Sequence, residues 1–301
     1  MNRNADWLRD LSTDTAKISN ESPVLERIAH ALEVLAGITD SAAPDWSHAA
    51  YSWNSLSQRL EPASHFRPLD LALLQGLDQQ IYILENNTKQ FALGLPANNA
   101  LLWGARGTGK SSLVKSVFQK TRSDSPIPLH LIELHKEDLA DIGVLTSLLA
   151  GASDRQFIIF LDDLSFEASD DRYKSLKSAL EGGISGQAPN ILIYATSNRR
   201  HLLPRTSSEN DQIHLHPAET AEENISLSDR FGLWLGFYAY DQETYLRMVE
   251  TYARTFNIPV GHDDLKKLAL EWAVGRGARS GRVAWQFIRD LAGQHNKVIE
   301  E

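Results

Sequence analysis

Ala100-Leu-Leu-Trp103-Gly104-Ala-Arg-Gly-Thr-Gly109-Lys110-Ser111 runs from apolar residues into a glycine-rich turn that ends in lysine and serine. The turn fits G-x-x-x-x-G-K-[ST], with an apolar strand before it and a helical pattern, Ser112 to Phe118, behind it. Glycines let backbone N–H groups turn inward around phosphates, and the N-terminus of the following helix adds its positive dipole end. Gly104, Ala105, Arg106, Gly107, Thr108, Gly109, Lys110, Ser111 and Ser112 are therefore the candidate phosphate cradle. In such a cradle the lysine contacts the β- and γ-phosphates and the serine hydroxyl holds Mg²⁺, which makes ATP and Mg²⁺ the expected ligands.

Around this loop, β-rich runs alternate with helical patterns. The runs are Ala100–Trp103, Leu129–Leu134, Phe157–Leu161, Asn190–Thr196 and Leu233–Tyr238, with helix candidates at 109–121, 141–150 and 171–181. That alternation predicts an α/β fold, a three-layer parallel sheet covered by helices. Residues 1–66 read as a helical N-terminal segment: Ser22-Pro23 starts a helix whose Leu25, Ile28, Ala29, Leu32 and Leu35 share a face. Trp46, Tyr51, Trp53 and Phe66 predict a short helix packed on the next domain. The α/β core spans 67–239, with a long polar loop at 204–228. Residues 240–301 form a helical end: a run capped by Asp241, then helices at 263–274 and 282–292.

Two acids end the apolar strand Phe157-Ile-Ile-Phe-Leu-Asp162-Asp163. At such a strand end the first acid, Asp162, is the Mg²⁺ partner, and Asp163 is placed to polarise the attacking water. Glu167 competes for that role, and a helix cap or surface acid is the plain alternative for Asp163. The next strand ends at Asn198, whose amide suits a hydrogen bond to the water and the γ-phosphate. Arg230 precedes the last strand and suits a reach to a neighbouring subunit's γ-phosphate, against a surface salt bridge with Asp229 or Glu223. Arg199 and Arg200 are alternatives to it.

Composition excludes several chemistries. The chain has 301 residues, no cysteine and a net charge of −9, from 30 Lys+Arg against 39 Asp+Glu. Disulfides, thiolate metal sites and thiol nucleophiles are out. No run approaches the ~18 apolar residues of a membrane span, so a cytoplasmic protein without membrane contact is expected. Nucleic acid is not indicated by the overall charge, although Arg276, Arg279, Arg282 and Arg289 make a local basic run. His201, His214 and His216 show no ligand spacing, and no G-x-S-x-G elbow is present.

These motifs in this order resemble the AAA+ ATPases: Walker A at 104–111, Walker B at 157–163, sensor 1 at Asn198, an arginine finger at Arg230. The helical end resembles the AAA+ lid, which implies a sensor 2 arginine at Arg282 or, as the close alternative, Arg279. Longer strings, among them Asp162-Asp-Leu-Ser-Phe-Glu167 and Ser280-Gly-Arg-Val-Ala-Trp-Gln-Phe287, resemble the bacterial AAA+ family called domain of unknown function 815, over roughly residues 60–295. The superfamily implies adenine between core and lid, with Leu74, Gly76 and Leu77 as candidates by position beside a plain packing role.

Two departures stand out. The acid pair is Asp-Asp where most AAA+ proteins have Asp-Glu, and His135–Ile142 holds no aromatic where polypeptide-threading relatives place one. The resemblance implies an ATPase that drives rearrangement of a homo-oligomer with shared nucleotide sites, its client unnamed. A nucleotide-dependent switch or loader, with little hydrolysis and a DNA-associated variant, is the competing expectation.

Overall fold

The computed structural model describes residues 44–167, 170–182, 186–202 and 227–299. The expected helix after Ser22 and nearly all of the 204–228 loop lie outside these. The chain divides into two compact units, residues 1–45 with 56–59, and residues 46–55 with 60–301. The fold below is that of the second.

Seven strands form one sheet: β1 (Ala50–Asn54), β2 (Arg59–Pro62), β3 (Ala100–Gly104), β4 (Leu129–Glu133), β5 (Gln156–Leu161), β6 (Ile191–Ser197) and β7 (Leu233–Phe237). Their order is β2-β1-β4-β5-β6-β3-β7, and the pairings β1–β4, β4–β5, β5–β6, β6–β3 and β3–β7 are all parallel. Parallel strands must be covered on both faces, so they read as continuous apolar runs rather than alternating ones. β5 shows this: all six residues are buried, with Phe157, Ile159 and Leu161 in one core and Ile158 and Phe160 in the other.

The second core is closed by α1 (Asp78–Ala92) and α2 (Lys110–Asp124), through Leu84, Phe91, Leu113, Val114 and Val117. The first is closed by α3 (Ile142–Ala150) and α4 (Arg172–Glu181), through Ile142, Leu145, Leu149, Leu176 and Leu180. After β7, helices α5 (Gln242–Thr255), α6 (His262–Arg276) and α7 (Gly281–Gln294) build a third core around Tyr245, Val249, Ala269, Ala284 and Ile288. Two caps set where α5 and α7 begin: Asp241 accepts from Thr244 N, and Ser280 accepts from Val283 N. Among the described residues no helix is long and apolar enough to cross a membrane.

Two expectations are corrected. The aromatic stretch before residue 66 forms strands, not a helix: Tyr51 and Trp53 alternate into the core from β1, which adds to the sheet beside β4. The α/β layer therefore begins before residue 67. In addition, the 15-residue helix α1 has no counterpart in the pattern reading. Its buried face carries Asn87 and Thr88 among the apolar residues, and Leu77 at its start gives no side-chain cap.

Where β3 leaves the sheet, Gly104 has φ +133°, and a Cβ there would lie 1.9 Å from the backbone oxygen of Phe237. That oxygen accepts from Ala105 N at 3.0 Å. Gly104→Ala is expected to lose about 2–5 kcal/mol of folding stability through positive-φ strain plus overpacking. Urea denaturation checks it: a midpoint equal to wild type would show that β3 and β7 tolerate a side chain at this crossing.

Candidate active site

Parallel strands deliver their carboxyl ends to one edge of the sheet, where ligands of open α/β folds bind. Here the ends of β3, β5 and β6 meet a cavity of about 630 Å³. Arg106 to Ser112 line it from the loop, Asp162 and Asp163 from β5, Thr196 and Asn198 from β6, and Arg282 from α7. A larger cleft, about 800 Å³, lies between α3 and α4 and carries none of the candidate site residues.

Lys110 begins α2 after Gly109, which sits at φ +89°. Its buried ammonium donates to Gly104 O at 2.9 Å, Ala105 O at 2.7 Å and Asn198 Oδ1 at 3.1 Å. Burial pushes the Lys110 pKa below the ordinary lysine range. Asp163 and Asp162 pull it back up, while Arg282 and Arg106 depress it further. The next residue, Ser111, donates through Oγ to Asp162 Oδ1 at 2.6 Å.

The same carboxylate oxygen accepts from Thr196 Oγ1 at 2.6 Å and from Asp163 N at 3.1 Å. Asp163 stands at φ +50°, and its carboxylate accepts from the Asn198 amide nitrogen. Lysine, amide and second acid thus form one chain of hydrogen bonds, and serine, first acid and threonine another. Among the described residues no group of three or more His, Asp or Glu side chains could hold a metal. A hydroxyl beside a single carboxylate suits a hard cation that takes its remaining ligands from phosphates and water, as Mg²⁺ does.

Residues 46–295 match the family described as "Protein of unknown function (DUF815)". The chain belongs to this family. No curated protein matches it. Among solved structures it is similar to the Orc1 protein of Aeropyrum pernix in complex with DNA, with 17% identity and a TM-score of 0.54, over 79% of this chain and 65% of that one. It is also similar to a RuvB mutant of Thermotoga maritima, with 17% identity and a TM-score of 0.49, over 77% of this chain and 68% of that one. The likeness is one of fold: an open, mostly parallel α/β sheet with a P-loop between β3 and α2.

In this DUF815 chain the remaining candidates do not all gather at the cavity. Glu167 is exposed and does not line it. Arg230 pairs with Glu181 at the end of α4, through Nε at 2.6 Å, and Glu223 lies outside the described residues. The Arg200 guanidinium stacks 5.2 Å above Trp103. Of Arg279 and Arg282, the second lines this cavity and the first lines another. Leu74 is on the wall; Gly76, at φ +74°, faces Thr244 and Tyr240 instead, and Leu77 lies against Gly109.

Sequence reasoning missed Thr196, Tyr252 and Trp285. The last two pair edge to face at 5.5 Å and line the cavity from α5 and α7. Thr196 is 1% exposed and binds the acid turn three ways: it donates to Asp162, accepts from Asp163 N at 2.9 Å through Oγ1, and accepts from Leu164 N at 2.7 Å through its carbonyl. The register Leu161↔Ala195 sets Thr196 opposite Asp162, and a hydroxyl one strand away from paired acids was the available signal.

Thr196→Val keeps the shape and removes both Oγ1 bonds. It is expected to cost about 1–3 kcal/mol in a denaturant titration, with Thr196→Ser recovering most of it. Equal stability of the valine and serine variants would mean that the hydroxyl does not hold the acid turn.

Proposed function

We propose that this chain binds ATP with Mg²⁺ and hydrolyses it, as an AAA+ ATPase whose cycle rearranges a homo-oligomer or a partner. One observation carries the reading: Ser111 Oγ meets Asp162 Oδ1 at 2.6 Å beside the buried Lys110, on a loop whose Gly107 and Gly109 stand at φ +73° and +89°. The proposed division is an α/β ATPase core, extended back by β1, and a helical lid at 240–301.

In this reading residues 104–112 cradle the phosphates and Lys110 exchanges its loop carbonyls for β- and γ-phosphate oxygens. Ser111 and Asp162 would hold Mg²⁺, which would supply positive charge against the negative charge that develops on the phosphates. Asp163, steadied by Asn198, orients the attacking water, with Glu167 as the competing base. Arg282 supplies positive charge from the lid. Arg230 acts on the site of a neighbouring copy after leaving Glu181.

A switch or loader with little hydrolysis is the second reading. It is favoured by the bond from Asn198 to Asp163, which occupies the proposed base, and by the shorter second acid. DNA enters this reading because the Aeropyrum pernix Orc1 structure is a DNA complex.

Lys110→Ala is expected to abolish ATP binding measured by calorimetry; unchanged affinity sinks both readings. In wild type, ATP turnover is expected to vanish in EDTA and to fall about 10²–10⁴-fold in Asp163→Ala, with Glu167→Ala near wild type. Retained binding without turnover selects the switch.

A further inference from the structure

The phosphate loop separates two cavities. Beside the one at the acid pair, a second of about 500 Å³ lies between the loop and the α6–α7 turn, lined by Ala105, Arg106, Thr108, Tyr240, Val274 and Arg279 among others. Arg106 and Thr108 line both. Arg282 and Arg279, three residues apart, have therefore gone to different cavities.

The second cavity has an unusual charge balance for a chain of net −9: no acid lines it, and two arginines do. Both guanidinium-bearing residues are exposed, and among the described residues neither forms an ion pair. Its other titratable group, Tyr240, donates its hydroxyl to Thr108 O at 2.7 Å, and burial pushes its pKa up, so it stays neutral. Ala105, Ala239, Ala273, Gly277 and Ala278 keep the walls small.

We propose that this second cavity binds a phosphoryl group between Arg106 and Arg279. Two guanidiniums without an acid call for a dianion. A phosphate monoester carries about −1.5 to −2 at neutral pH, whereas a carboxylate supplies one charge. The guanidinium fork also matches phosphate oxygens in pairs. The phosphate is either free or carried on a second nucleotide. Because Arg106 borders both cavities, a ligand that holds it in the second withdraws it from the first. The two occupancies are then coupled, and by linkage the coupling runs both ways.

The test uses the full-length Lys110→Ala protein, which removes the ammonium of the first cavity, titrated by calorimetry with pyrophosphate and, separately, with adenosine monophosphate. One pyrophosphate per chain is expected, weakened by salt, with affinity at least tenfold lower when Arg279→Ala is added and largely restored by Arg279→Lys. Adenosine monophosphate binding that shares this Arg279 dependence makes the ligand nucleotide-borne; pyrophosphate binding alone makes it free phosphate. Absence of pyrophosphate binding, or affinity indifferent to Arg279→Ala, overturns the proposal. Retained ATP binding in Lys110→Ala counts against the proposed ATPase instead, and leaves the Arg279 comparison standing.

Discussion

β3 and β7 run so close at their carboxyl ends that nothing larger than hydrogen fits at Gly104. The loop can begin only there, at φ +133°, with Ala105 N bonded to Phe237 O. From that start the chain must turn back to begin α2, and Gly109 at φ +89° lets it do so within five residues. The glycines of the motif therefore answer a packing constraint of the sheet as well as a ligand. The strand that imposes the constraint, β7, comes 129 positions later at its first residue (233 against 104), so the loop is shaped by a contact far away in sequence.

A similar economy holds at the acid pair. One oxygen of Asp162 takes three donors, from α2, from β6 and from its own neighbour. Asp162 itself lines the cavity. Wrapping the turn around Thr196 puts Asp163 at φ +50°, a conformation that aspartate tolerates better than β-branched or bulky residues do. The left-handed turn and the aim of the second carboxylate are thus one fact. An Asp at this place is shorter than a Glu, and its carboxylate sits within reach of Asn198.

Much of this was legible because burial on both faces writes a parallel strand as an unbroken apolar run; Phe157–Leu161 and Ile191–Ala195 are the clearest. Lys110, Ser111 and Asp162 were legible for another reason, since fixed local spacing positions them. What failed depended on distant partners. Helix α1 buries Asn87 and Thr88 because Tyr194 on β6 offers its hydroxyl to both, at 2.9 Å each, and no local pattern announces that. β1 was hidden for the same kind of reason, because it is ordered by pairing with β4 and by Trp46, His130 and Phe157 packed beside Tyr51. In sequence Arg282 is favoured over Arg279 because it directly precedes an apolar helical pattern, and the two line different cavities.

The helical C-terminal part is joined to the loop by two hydrogen bonds and a close packing contact. Arg282 N donates to Gly107 O at 3.2 Å, Tyr240 Oη to Thr108 O at 2.7 Å, and a Cβ on Gly107 would strike Ser280 Oγ at 2.9 Å. Two successive loop carbonyls thus accept from donors on α7 and at Tyr240. Any ligand that draws the loop amides inward pulls on these carbonyls through the same peptide planes, since each peptide is rigid. The third core packs α5, α6 and α7 around Tyr245, Val249 and Ile288, so these bonds tie the loop to a packed three-helix layer rather than to a single helix.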